Sequence, residues 1–162
     1  MYSNINFFSI MKQTVLKYGS YGALVGFLIF VIHLALGKDL DFGTLEILGY
    51  LSIFVSLSFI YFGIKHYRDK VNNGTVYLGK AILIGVLISV LVGIGIGVAD
   101  YIYTQYINPD FFEDYTQMLI KEGRGDEIIE MTSTMGALFM VALVTVIGFV
   151  ISLISGLILQ RK

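Results

Sequence analysis

The chain has 162 residues, 56% of them hydrophobic and only 14% charged, with a mean hydropathy of +0.79 and a formal net charge of -1. A soluble domain carries about 25% charged residues, so the composition excludes an ordinary water-facing surface, and the near-neutral balance provides no basic field for nucleic acid. Without cysteine there is no disulfide framework, thiolate metal site or thiol nucleophile.

Residues 1–17 read as a cytoplasmic N-terminal tail. The first ten precede a second methionine, Met11, and are either an interfacial extension or a stretch ahead of the natural start. Residues 18–37 then contain no Asp, Glu, Lys or Arg. Lys12 and Lys17 before this run, and Ala35-Leu36-Gly37 at its end, have the grammar of a signal peptide. The run exceeds the roughly 7–15 apolar residues of a signal core, so it is read as an uncleaved first helix. Further uncharged runs follow at 47–64, 81–99 and 131–160, the last most apolar over 136–159.

A helix of about 20 residues crosses the hydrocarbon core of a bilayer. Within lipid the backbone must satisfy its own hydrogen bonds, which selects helix. Four such runs leave too little polar chain to cover them in water. The expected fold is all-α: an integral membrane four-helix bundle. Residues 18–160 form one membrane domain, and residues 161–162 form a cytoplasmic C-terminus.

The link between the second and third spans is charged: Lys65, His66, Arg68, Asp69, Lys70 and Lys80. Asn72-Asn73-Gly74 is turn chemistry. Lys65 and Asp69 have the spacing of a helical ion pair. Counting Lys and Arg, the termini and this link hold eight, against three in the first and third links. Basic residues near span ends stay cytoplasmic, which puts both termini and this link inside. Eleven of the twelve acidic residues fall on the other side.

Small residues let helices approach in lipid. Ala81, Gly85, Ser89, Gly93 and Gly97 recur every four residues in the third span, and Gly148, Ser152 and Gly156 do so in the fourth. Both lines are expected at helix contacts, within one chain or between two. Gly93, Gly95 and Gly97 lie inside an apolar span, so packing and not phosphate binding explains them.

The third link carries Asn108-Pro109, expected as an N-cap and first helical residue. Phe111, Phe112, Tyr115, Met118 and Leu119 then fall on one helical face. Gly123 and Gly125 end this short amphipathic extracytoplasmic helix, and Asp126 is expected to cap the turn into the fourth span. Its polar face is acidic, where a surface-lying helix favours Lys and Arg. It is therefore expected to cap the bundle or to bind a partner.

Three polar residues stand at outer span ends: His33, Glu46 and Asp100. These donor types bind divalent cations or relay protons; their bland role is to reach water from helix ends. No HxxxH or HExxH pair supports a metal. No catalytic residue, metal or cofactor is expected.

The run Gly63-Ile-Lys65-His-Tyr67-Arg68-Asp69-Lys70-Val-Asn-Asn-Gly74, followed by Gly79-Lys80-Ala81, resembles a segment of the bacterial membrane family known as domain of unknown function 4199. Pro109-Asp110-Phe111 is similar to a second segment of that family. The resemblance covers residues 11–162. It implies a multi-pass protein of the inner membrane of Bacteroidota, and it brings no activity, cofactor or catalytic residue. Set beside that family, the third link is shorter here than in many members, so no role of that region is carried over.

The expected function is a non-enzymatic interaction or assembly module, with the bilayer and either a second copy or another membrane protein as partners. A small transporter or channel is the alternative, and a membrane enzyme ranks last.

Overall fold

A computed structural model describes residues 3–37 and 40–161. Lys38 and Lys162, which enter the basic count above, lie outside the described residues. The fold is all-α. Helix α1 spans Ser3–Leu36, α2 Phe42–His66, α3 Leu78–Ile102, α4 Phe111–Lys121 and α5 Ser133–Leu159. Four of these, all but α4, are long and apolar enough to cross a membrane. Both α2 and α3 run on into a five-residue π-helical turn, Tyr67–Val71 and Tyr103–Ile107 respectively.

The helices exceed the apolar runs that announce them. Residues read as an N-terminal tail are helical from Ser3, and Met11, Thr14 and Val15 are buried against the bundle. Charge stops an apolar run in the sequence, but it does not stop a helix. The backbone continues wherever one face still has a packing partner.

α3 is the central element. It packs against α5 on one side and α1 on the other, α2 touches all three, and α1 and α5 occupy opposite corners. Glycines govern the close approaches. A β-carbon added at Gly85 would collide with Ser152, and one at Gly148 would collide with Ser89. At Gly95 it would lie 2.6 Å from the carbonyl oxygen of Ala23 on α1. Such contacts bring backbones close enough for dispersion to hold helices together without help from water.

Between the ends the core is aliphatic. Leu57, Ile60, Ile84, Ile88, Val92 and Val144 are fully buried. Buried serines there return their hydroxyls to their own helix: Ser56 to the Ser52 carbonyl at 2.7 Å and Ser152 to the Gly148 carbonyl at 2.5 Å. The outer face of α5 is apolar and exposed, with Val146, Phe149, Val150 and Ile154 about half accessible or more. Lipid tails cover such a face without penalty.

The start of α4 differs from the sequence expectation. Its N-cap is Asp110, not Asn108, and Pro109 sits in the preceding turn. The chain leaving α3 keeps winding through the π turn, and the Asn108 amide closes it on the Tyr103 carbonyl at 2.8 Å. Asp126 likewise falls inside a short turn, Gly125–Glu127. The cap of α5 is Thr132, whose hydroxyl accepts the Met135 amide at 3.2 Å.

Candidate functional site

The bundle has two ends. One carries the 66–77 turn, the start of α1 and the end of α5; the other is covered by α4.

At the first end the charged turn is a buckle. The Tyr67 ring is fully buried, and Arg68 is only 9% exposed. The Arg68 guanidinium donates to both carboxylate oxygens of Asp69, at 2.6 and 3.1 Å, and to the Leu159 carbonyl at 3.3 Å. That carbonyl belongs to the last turn of α5, where helical carbonyls lack partners and a cation is favoured. One arginine thus ties the end of α2 to the end of α5. Asp69 therefore pairs with its neighbour Arg68 and not, as its spacing suggests, with Lys65, which is exposed.

The remaining buckle residues also have structural places. Asn73 and Gly74 turn the chain at φ 51° and 83°, and the Asn72 amide group donates to the Thr75 carbonyl at 2.8 Å. Val76 and Arg161 exchange two backbone hydrogen bonds of 3.0 Å. Gly63 lets Tyr18 and Ile88 approach α2. The His66 ring lies 5.4 Å from Tyr18. Lys70 and Gly79 are exposed, and Lys80 is half-buried.

The other end is hollow. α4 lies across it, held by aromatic edges: Phe42 meets Phe111 at 5.7 Å and Tyr115 at 5.4 Å between ring centres, and Tyr103 meets Phe111 at 5.8 Å. Leu119 is buried, whereas Pro109 and Asp110 stay exposed. Beneath lies a cavity of about 630 Å³ whose walls come from α1, α2, α3, α4 and α5. That volume lies within the range of small-molecule sites, roughly 300–1,000 Å³.

His33, Glu46 and Asp100 all line this cavity. His33 is half-buried, edge-on to Phe30, with Nδ1 3.3 Å from both the Ile29 carbonyl and Ser52 Oγ. Ser52 directs its single hydroxyl hydrogen to the Leu48 carbonyl at 2.7 Å. Nδ1 is therefore the donor in its two contacts, which fixes the tautomer of the neutral ring. Glu46 is exposed at the rim. Asp100 is 6% exposed, and its Oδ2 has no hydrogen-bond partner. The three do not converge: among the described residues, no group of three His, Cys, Asp or Glu side chains could hold a metal ion.

The rim carries further charge that the sequence reading passed over. Arg124 donates to both Glu127 oxygens at 2.9 and 2.7 Å and to Glu122 at 3.1 Å. These carboxylates push the guanidinium above its ordinary range, and Arg124 holds the Glu127 carboxyl below its own. Asp41 caps α2, accepting the Thr44 amide at 2.9 Å and the Thr44 hydroxyl at 2.7 Å. Those bonds hold its carboxyl below the usual carboxylate range. An aspartate just ahead of the second span was a legible N-cap signal; the Arg124 cluster offered only charge alternation.

A family model described as a protein of unknown function (DUF4199) matches residues 17–161. No curated protein and no solved structure matches the chain.

Proposed function

The chain belongs to the DUF4199 family, and from that premise we propose that it is a multi-pass membrane protein that works by binding at the end covered by α4. The carrying observation is that the cavity stops against a closed aliphatic core. Phe30 and Ile53 line its inner side, and Leu57, Ile60, Ile88 and Val92 are fully buried beyond them. A conduit through one chain would need polar groups along that path, which disfavours the transporter reading. An enzyme would need an activated nucleophile; Ser52 touches His33 at 3.3 Å but gives its hydroxyl hydrogen to the Leu48 carbonyl, so that contact does not support one.

In this reading the protein sits in a bacterial inner membrane with both termini in the cytoplasm. The distribution of basic residues supports that orientation: Lys12, Lys17, Lys65, Arg68, Lys70, Lys80 and Arg161 gather at one end, against Lys121 and Arg124 at the other. The close approaches of Gly85 to Ser152 and of Gly148 to Ser89 support a meeting of the small-residue lines of α3 and α5 within the chain. A second copy or another membrane protein would therefore be met elsewhere, with α4 the natural surface. Crosslinking in native membranes, through a reactive group on the exposed face of α4, should capture one reproducible partner. Flux through reconstituted protein should match empty vesicles. Solute flux above that background, with no partner captured, would replace binding with transport.

A further inference from the structure

We infer that the cavity beneath α4 binds a cationic amphiphile, a protonated amine on an apolar chain, with Asp100 as its counter-ion. The inference deepens the binding reading above and rests on it. A carboxylate away from water is costly unless charge or hydrogen bonds compensate it, and native structures leave few such groups unsatisfied. Asp100 is 6% exposed, with Oδ2 unpartnered. It takes part in none of the ion pairs among the described residues, which join Arg68 to Asp69 and Arg124 to Glu122 and Glu127. The carboxylate stands against Gly136 of α5, where any β-carbon would come within 3.1 Å of Oδ2 and 2.8 Å of the Phe112 ring. The glycine thus lets the carboxylate and the Phe112 ring lie close against α5 at the cavity wall.

The charge of the cavity selects the sign of the ligand. Asp41, Glu46, Glu122 and Glu127 also line it, and the single arginine there is already held by two of these carboxylates. His33 uses Nδ1 within its own bundle contacts. An entering anion would meet an excess of carboxylates, whereas a cation meets a carboxylate whose Oδ2 lacks a partner. The walls select the remainder. Tyr50, Phe111, Phe112 and Phe139 line the cavity with aromatic rings, a side-chain type that attracts an ammonium, and Ile53, Met140 and Leu143 line it with apolar groups suited to an alkyl chain.

The test uses dodecylammonium and its neutral counterpart dodecanol, titrated into the full chain in phosphatidylcholine nanodiscs, with empty discs subtracted. Saturable dodecylammonium binding at least tenfold tighter than dodecanol binding is expected for the native chain. Asp100→Asn should bring that ratio near one, and Asp100→Glu should keep most of it. Without ligand, Asp100→Asn should melt at the same temperature as the native protein or higher. Gly49→Leu provides a second route, since its β-carbon meets nothing closer than Phe30 at 4.0 Å. It should fill the cavity and weaken both ligands. Equal binding of both ligands to the native chain would overturn the cationic inference while leaving binding at this end intact. A preference that survives Asp100→Asn, or binding indifferent to Gly49→Leu, would overturn it as well. No saturable binding of either ligand would also refute it, while partner capture through α4 would separately decide the broader reading.

Discussion

The two π turns differ in what they enclose. α2 and α3 each run on past a buried tyrosine, Tyr67 and Tyr103, and each turn is closed by an asparagine amide on that tyrosine's carbonyl, at 2.9 and 2.8 Å. At Tyr67 the next residue is an arginine whose buried guanidinium meets a carboxylate and the end of α5. At Tyr103 it is Thr104, whose hydroxyl satisfies only the Asp100 carbonyl at 2.9 Å, and the buried Asp100 carboxylate lines the hollow with its Oδ2 unpartnered. The same backbone device seals one end and frames a site at the other. The charged turn, conspicuous in the sequence, is mostly spent on holding the fold together. The cavity end carries more charge, mostly acidic and exposed along 110–130, and retains at Asp100 chemistry that the fold does not consume.

The largest effect should come from breaking the seal. Arg68→Ala would remove the tie to the Leu159 carbonyl and leave Asp69 to water, and should give the largest drop in melting temperature; Arg68→Lys would lose the two-pronged contact and give a smaller drop. Thermal melting in mild detergent checks both, and equal melting of all three proteins would remove the buckle from the account. Next is Phe42→Ala, which deletes two aromatic contacts beneath α4 and should cost about 2 kcal/mol. Amide exchange should then quicken across 111–121 and stay unchanged around 67–76. Gly74→Ala forces a β-carbon at φ 83° and should cost about 1 kcal/mol, read as a drop in melting temperature.

The four spans were legible because apolar runs of membrane length have few alternatives. Their limits were not, because Val15 and Met11 are held by tertiary packing that no local pattern reports. Asn108-Pro109 was misplaced by two residues because a π turn, unlike an α-helical end, has no strong local signature. The spacing of Lys65 and Asp69 permits a pair, but the adjacent Arg68 guanidinium satisfies both Asp69 oxygens at once. His33, Glu46 and Asp100 stood out as polar residues at span ends. That they line one hollow depends on walls drawn from residues 30–143, and no single segment encodes it.

The smallest effect sharpens the comparison by pH. Asp41 and Glu127 are held below the ordinary carboxylate range by Thr44 and Arg124. Their stabilisation is present above the unfolded carboxylate value, about 4, and is lost as pH falls through their lower folded values. Thr44→Val should move the Asp41 titration back toward the ordinary value in a carbon-detected NMR titration and leave Glu127 in place.

The most direct measurement of a site open at one end and closed beyond it exploits the absence of cysteine. Single substitutions Thr116→Cys, in the cavity wall, and Val92→Cys, in the central core, are labelled with a water-soluble maleimide in nanodiscs. The account predicts rapid labelling at 116 and protection at 92 until the protein is unfolded. Comparable labelling at both would mean that water passes from the cavity into the core, contradicting a closed bundle with one binding end.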